Sequence, residues 1–134
     1  MATKVFINLP VKDLSKSKTF FAGLGFSFNP QFSDENAACM VISDSIFVML
    51  LTEAYFQTFT KKAVCDATKN TEVLIALDAA SREEVEQTIA RAKELGASIY
   101  ADPADQGWMY QHSFADLDGH QWEVAYVEVS QMPG

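Results

Sequence analysis

Few side chains in this sequence are placed to do chemistry, and the best placed is a glutamate. Glu123 closes the run Phe114-Ala115-Asp116-Leu117-Asp118-Gly119-His120-Gln121-Trp122-Glu123, just past an Asp-Gly pair. Asp-Gly between two β-rich runs predicts a tight hairpin in which Gly119 takes a positive φ. Side chains alternate along a strand, so Glu123 points away from its neighbours Trp122 and Val124. A carboxylate fixed there is either solvated or a site residue that serves as ligand or base. A second carboxylate, Glu72, opens a strand after Asn70-Thr71. The histidines are His112, in mid-strand, and His120, directly after the turn. Neither has a second His or carboxylate at metal-ligand spacing, so both read as structural or surface residues, with the face of His112 left open. Cys39 lies in an apolar run and reads as a small core residue, while Cys65 falls in a loop-like segment. No helix start or neighbouring base marks either thiol as a nucleophile.

The elements that must hold these residues follow from patterning. Strands are expected over 4–9, 26–32, 37–43 and 46–52, with Asp44-Ser45 turning the last pair. A helix capped by Asp13 or Ser15 runs through Phe20, Phe21 and Leu24 to Gly25. A short helical turn over 53–60 and a polar connector over 61–71 follow. The pattern then restarts with a strand over 72–77. Ser81-Arg82-Glu83-Glu84 reads as a capping box in which Glu84 reaches back to the Ser81 backbone. Val85, Ile89, Ala92 and Leu95 form that helix's apolar face, and Gly96 ends it. Strands over 97–100, 109–116 and 121–128 complete the second half. The order is β-α-β-β-β twice, and Leu24-Gly25-Phe26-Ser27-Phe28 echoes Leu95-Gly96-Ala97-Ser98-Ile99.

Composition bounds the function. With 134 residues, 49% hydrophobic and 21% charged, the chain reads as one globular domain able to bury its own core. Two cysteines are too few for a disulfide framework or a Cys-based zinc site. A formal charge of −8 and no basic stripe argue against a nucleic-acid partner. No apolar run approaches the roughly 20 residues needed to span a bilayer. Met1-Ala2-Thr3-Lys4 leads directly into a strand pattern without a signal-peptide core, so no membrane association and a cytoplasmic location are expected.

Two stretches resemble a known family. Phe6-Ile7-Asn8-Leu9-Pro10-Val11-Lys12-Asp13-Leu14, with Ser17, Phe20-Phe21 and Leu24-Gly25-Phe26, is similar to the opening of the vicinal oxygen chelate superfamily. This is the glyoxalase, bleomycin-resistance and extradiol-dioxygenase group. The stretch from Phe114 to Glu123 resembles its closing signature. The resemblance implies an α+β fold of two paired βαβββ modules, about 4–60 and 72–128, whose curved mixed sheets enclose a cavity, commonly in a homodimer. It also implies a divalent metal (Zn, Ni, Mn or Fe) on His, Glu or Gln ligands from the first and fourth strands of each module. Position by position, those places fall on Phe6, on Leu50 by family spacing or Met49 by internal alignment, on Glu72 and on Glu123. Two are apolar, which leaves Glu72 and Glu123 as metal candidates and Glu123 as the catalytic one.

The resemblance therefore implies a small-molecule binder with a degenerate metal site, its aromatic pocket formed by Phe6, Leu50, Trp108, Tyr110, His112 and Trp122. The alternative is a metal-dependent lyase, isomerase or dioxygenase using Glu123 and Glu72. A third reading is an interaction module with no cavity ligand.

Overall fold

In the computed structural model, which describes residues 1–133, the strand-helix-strand order is written twice. The chain divides into two units, Met1–Cys65 and Asp66–Gly134.

The first unit contains β1 (Val5–Val11), α1 (Leu14–Gly23), β2 (Ser27–Asn29), β3 (Ala37–Val41), β4 (Ile46–Thr52) and the short α2 (Glu53–Gln57). Its sheet order is β1-β4-β3-β2, with β1 parallel to β4 and the other pairs antiparallel. Asp13 caps α1, its side chain accepting from the Lys16 N–H, and this satisfies one of the donors a helix start leaves open. Leu9, Met40, Val48 and Leu50 are register neighbours on one face and are fully buried. Phe28 shares that face through its pairing with Met40, and Lys18 of α1 lies over its ring. The face is therefore covered by α1, whose Phe20 and Phe21 are buried. Each such side chain stabilises the fold by roughly 1.5–3 kcal/mol. The strand expected over 26–32 is shorter, because Pro30 opens a single 3-10 turn to Phe32 that Asn29 caps.

The second unit repeats the plan with β5 (Leu74–Asp78), α3 (Arg82–Glu94), β6 (Ala104–Asp105), β7 (Met109–Ala115) and β8 (Gln121–Val127). Its sheet order is β5-β8-β7-β6, again with one parallel pair, β5 with β8. Ser81 caps α3 by accepting from the Glu84 N–H, while the Glu84 carboxylate accepts from Ala80 rather than from Ser81. Arg91 and Lys93 in the last turn complement the helix dipole. The α3 side of this sheet buries Ile75, Phe114, Trp122 and Val124.

The expected strand over 97–100 is reduced to one bridge, Ser98 with Ala115. The edge strand is instead β6, between the strands expected over 97–100 and 109–116. Arg82 explains the difference. Its guanidinium donates to both Asp105 carboxylate oxygens at 2.7 and 2.9 Å and to the Gly107 carbonyl, and it lies 5.0 Å from the Tyr110 ring centre. That bidentate clamp holds β6 against β7 and lets residues 99–103 leave the sheet edge.

Candidate functional site

The hairpin between β7 and β8 is built around a residue that the Asp-Gly signal does not point to. Asp116 is buried, and its Oδ1 accepts from the backbone N–H groups of Asp118 and His120. Its Oδ2 accepts from the Trp122 indole at 2.9 Å. Burial outweighs these bonds and the adjacent His120, and pushes the Asp116 carboxyl above its ordinary value. Gly119 takes φ 89°, and a Cβ there would lie 2.8 Å from the backbone of Ala67 and Thr68. The connector before β5 is thus laid directly on the hairpin. Two further bonds fix it: His120 Nδ1 with Glu72 Oε1 at 2.6 Å, and Thr71 Oγ1 donating to Gln121 Oε1 at 2.7 Å. His120 is buried, which is the structural rather than the surface alternative for that residue.

The hairpin sets the register of the face away from α3. Ser113 pairs with Glu123, Ala115 with Gln121 and Gln111 with Ala125, so Gln111, Ser113, Gln121 and Glu123 share one face. Gln111 Nε2 donates to Glu123 Oε2 at 2.8 Å, a diagonal cross-strand contact. These side chains line a concavity of about 460 Å³. Its walls are Thr71 and Leu74 on one side and residues 100–102 on the other. The second wall exists because the chain leaves the sheet between the Ser98 bridge and β6.

Register corrects much of the expected pocket. Tyr110, Phe114, Trp122 and Val124 face α3, opposite Glu123. Tyr110 donates to Glu86 of α3 at 3.1 Å, and Trp122 is fully buried. Neither lines the Glu123 concavity. Trp108 lies before β7, half-buried, and its carbonyl accepts from Glu128. His112 pairs with Val124 and so belongs to the α3 side, yet it reaches the rim of the concavity, where its Nε2 donates to the Ala101 carbonyl at 3.0 Å. In the first unit, Leu50 is core beneath α1, whereas Phe6, 51% exposed, stacks on Phe47 on the other face. Gln111, Ser113 and Gln121 went unnoticed in the sequence. Counting back across the hairpin from Glu123 would have found Ser113.

The repeat also tests the metal reading. Met49 pairs with Asn8, and Glu123 in the second unit pairs with Ala76. By the same pairing, Phe6, which faces Phe47, corresponds to Leu74, which faces Gln121. Glu72 precedes β5, is engaged by His120, and does not line the concavity that holds Glu123. The four equivalent positions are therefore Phe6, Met49, Leu74 and Glu123. Among the described residues no three His, Cys, Asp or Glu side chains are grouped to hold an ion. A catalytic zinc takes about three protein ligands, so this donor set does not fit a divalent metal.

The other face of the first sheet is different in character. Asn8, Leu51, Phe56, Phe59 and Thr60 line a concavity of about 330 Å³ where α2 packs over β1 and β4. Cys39 lies on the same face, fully buried, with its thiol pushed above the ordinary value by that burial. No helix among the described residues is long and apolar enough to cross a membrane.

Comparison with known proteins agrees with this architecture. Residues 3–43 match the family described as bleomycin resistance protein-like N-terminal. A hypothetical protein from S. aureus is similar at 32% identity, with 94% of this chain and 95% of that one covered and a TM-score of 0.80. A glyoxalase-related enzyme from Fulvimarina pelagi shares the fold at 19% identity, with 94% and 88% covered and a TM-score of 0.78. The fosfomycin resistance protein from Listeria monocytogenes shares it at 22% identity, with 94% and 93% covered and a TM-score of 0.68. None of the curated proteins matches the chain in sequence. Its doubled βαβββ order is the fold of these glyoxalase-related and fosfomycin-resistance structures, and its residues 3–43 match the bleomycin resistance protein-like N-terminal family.

Proposed function

We propose that the protein binds a small organic molecule on the face of the second sheet away from α3, without a resident metal. The observation that carries this reading is the concavity around Glu123, whose floor is polar and whose flanks carry Leu74 and Tyr100. Its size, about 460 Å³, is within the range of small-molecule pockets. A few placed polar groups beside apolar surface suit orientation of a ligand, and binding of that kind needs no reaction chemistry. The homodimer implied by the family is part of the same proposal.

A metal-dependent lyase, isomerase or dioxygenase remains the competing reading, and Glu123 at a family ligand position is what favours it. It lacks donors at the other three positions.

The two are separated by metal content and melting temperature. Protein purified without chelators is incubated with Ni, Zn, Mn or Fe, and bound metal is counted. The binding reading expects far less than one ion per chain, together with a rise in Tm on adding small aromatic amines or alcohols. One equivalent of metal that is lost in Glu123→Ala would overturn it.

A further inference from the structure

We propose that the Glu123 concavity selects an organic cation, a ligand whose primary ammonium group docks on Glu123, Gln111 and Ser113. This rests on the small-molecule reading above and names the chemical class that the site takes.

The hydrogen-bond inventory of the floor points to it. Glu123 Oε2 is occupied by Gln111 Nε2, which fixes the carboxylate and leaves Glu123 Oε1 and Gln111 Oε1 without protein donors among the described residues. Ser113 is only 8% exposed, yet its hydroxyl makes no hydrogen bond within the described residues, although it lines the concavity directly opposite Glu123. Its oxygen is open to the concavity, since among the described residues no fully buried side-chain oxygen or nitrogen lacks a partner. The three free acceptors on adjacent register positions number as many as the three N–H donors of an ammonium group. Gln121 differs: its Oε1 is held by Thr71, so only its amide N–H groups remain to meet an acceptor elsewhere on the ligand.

Charge acts in the same direction. Glu123 and Asp102 line the concavity, and neither Lys nor Arg does. An anionic ligand would meet these carboxylates and the net charge of −8, and unmatched like charge is an effective means of rejection. The ring of Tyr100, which is exposed on the wall, offers a flat surface for an apolar or aromatic body and a weak attraction for a cation above it. A divalent metal would need further oxygen or nitrogen donors grouped around Glu123. An ammonium needs only the acceptors already there.

The test uses the 15N-labelled full chain and three probes of one shape: benzylamine, benzyl alcohol and benzoate. Backbone amide shifts are followed through each titration. Benzylamine is expected to move the resonances of Gln111, Ser113, Gln121 and Glu123, with a Kd roughly tenfold below that of benzyl alcohol. Benzoate is expected to leave them in place at the same concentration. Glu123→Gln keeps the shape and removes the charge, so it should erase the advantage of the amine. Ser113→Ala should weaken benzylamine more than benzyl alcohol, and serves as the second variant if Glu123→Gln does not fold. Equal Kd values for amine and alcohol would overturn the cation proposal while leaving a small-molecule site standing. So would an amine preference that survives Glu123→Gln. No shifts with any probe would overturn both.

Discussion

The two units share a topology and part company on one face. On the helix sides, both sheets are apolar and buried: Leu9, Met40, Val48 and Leu50 in the first, Ile75, Phe114, Trp122 and Val124 in the second. On the far sides, the first sheet carries Phe6, Phe47, Met49, Leu51 and Cys39 with Asn8 among them and Ser27 and Asn29 on its edge strand, while the second carries Gln111, Ser113, Gln121 and Glu123. A helix has to cover apolar surface in both, so that side is constrained to be alike. The far side is under no such constraint, and there the same backbone positions hold different chemistry. Met49 and Glu123 occupy one place in the repeat and could hardly be less similar. Fold is carried by the shared face, and the proposed site lies on the divergent one.

The contrast can be broken most severely from the shared face. Trp122→Ala removes a fully buried side chain that stacks against Phe114 and donates to Asp116. It should cost about 3–5 kcal/mol in denaturant unfolding. Leu50→Ala, on the helix-covered face of the first sheet, should cost about 2–5 kcal/mol. Phe6→Ala, on the far side and half-exposed, should cost less than about 1 kcal/mol. Similar losses for Leu50 and Phe6 would mean that the face assignment of the first sheet is wrong.

The hairpin is next in size. Gly119→Ala forces a side chain into positive φ and onto the backbone of Ala67 and Thr68, which should destabilise by roughly 1–3 kcal/mol. Gly107, also at positive φ but with open space around it, should tolerate alanine with only the backbone cost, about 1 kcal/mol. Equal melting temperatures for the two variants would show that the connector does not rest on the hairpin in solution.

Acid gives a smaller and directional effect. The Arg82 side chain, then the Gly107 N–H, hold the Asp105 carboxyl down at about 2, from an ordinary 3.8. A folded-state value below the unfolded one means that this group's stabilisation is complete above about 4 and is lost as pH falls through about 2. Asp116 has the opposite sign. Its raised value means that the buried carboxylate opposes folding at neutral pH, and protonation relieves it. Asp105→Asn should therefore flatten the acid limb of a stability-pH curve measured from pH 5 to 2. An unchanged limb would place the loss elsewhere. Both partners of the clamp are exposed, so the effect is modest.

The smallest stability change should come from the site itself. Ser113→Ala removes a hydroxyl that makes no bond to the described residues and should change stability by no more than about 0.5 kcal/mol. A large loss would give the hydroxyl a structural role and remove it from the ligand inventory.

Much of the architecture could be read from local signals, because each is a short-range rule. Ser81 and Asp13 cap helices through their own next turn, and Gly25 and Gly96 end them at positive φ. The edge strand was misread because it is held by Arg82, more than twenty residues away in the chain, and not by its own sequence. The hairpin was correctly placed, but credited to Asp118 when Asp116 organises it. The face of each site residue was harder still. The expected aromatic pocket includes Trp122 and Tyr110, yet alternation alone turns Trp122 away from Glu123, and only strand pairing adds Tyr110 to the α3 side. Glu72 falls outside the strand expected to carry it, because β5 starts at Leu74, and His120 takes its carboxylate. Gln111, Ser113 and Gln121 are ordinary residue types whose meaning comes only from register.

One measurement addresses the central claim most directly. Backbone amide shifts of the labelled chain are mapped in the presence of EDTA while a small aromatic amine is added, and the titration is then repeated with excess Zn or Ni. The account predicts shifts centred on Gln111, Ser113, Gln121 and Glu123 in EDTA, with the same Kd after metal is supplied. Shifts centred on Asn8, Leu51 and Phe56, or binding that begins only when metal is added, would contradict it.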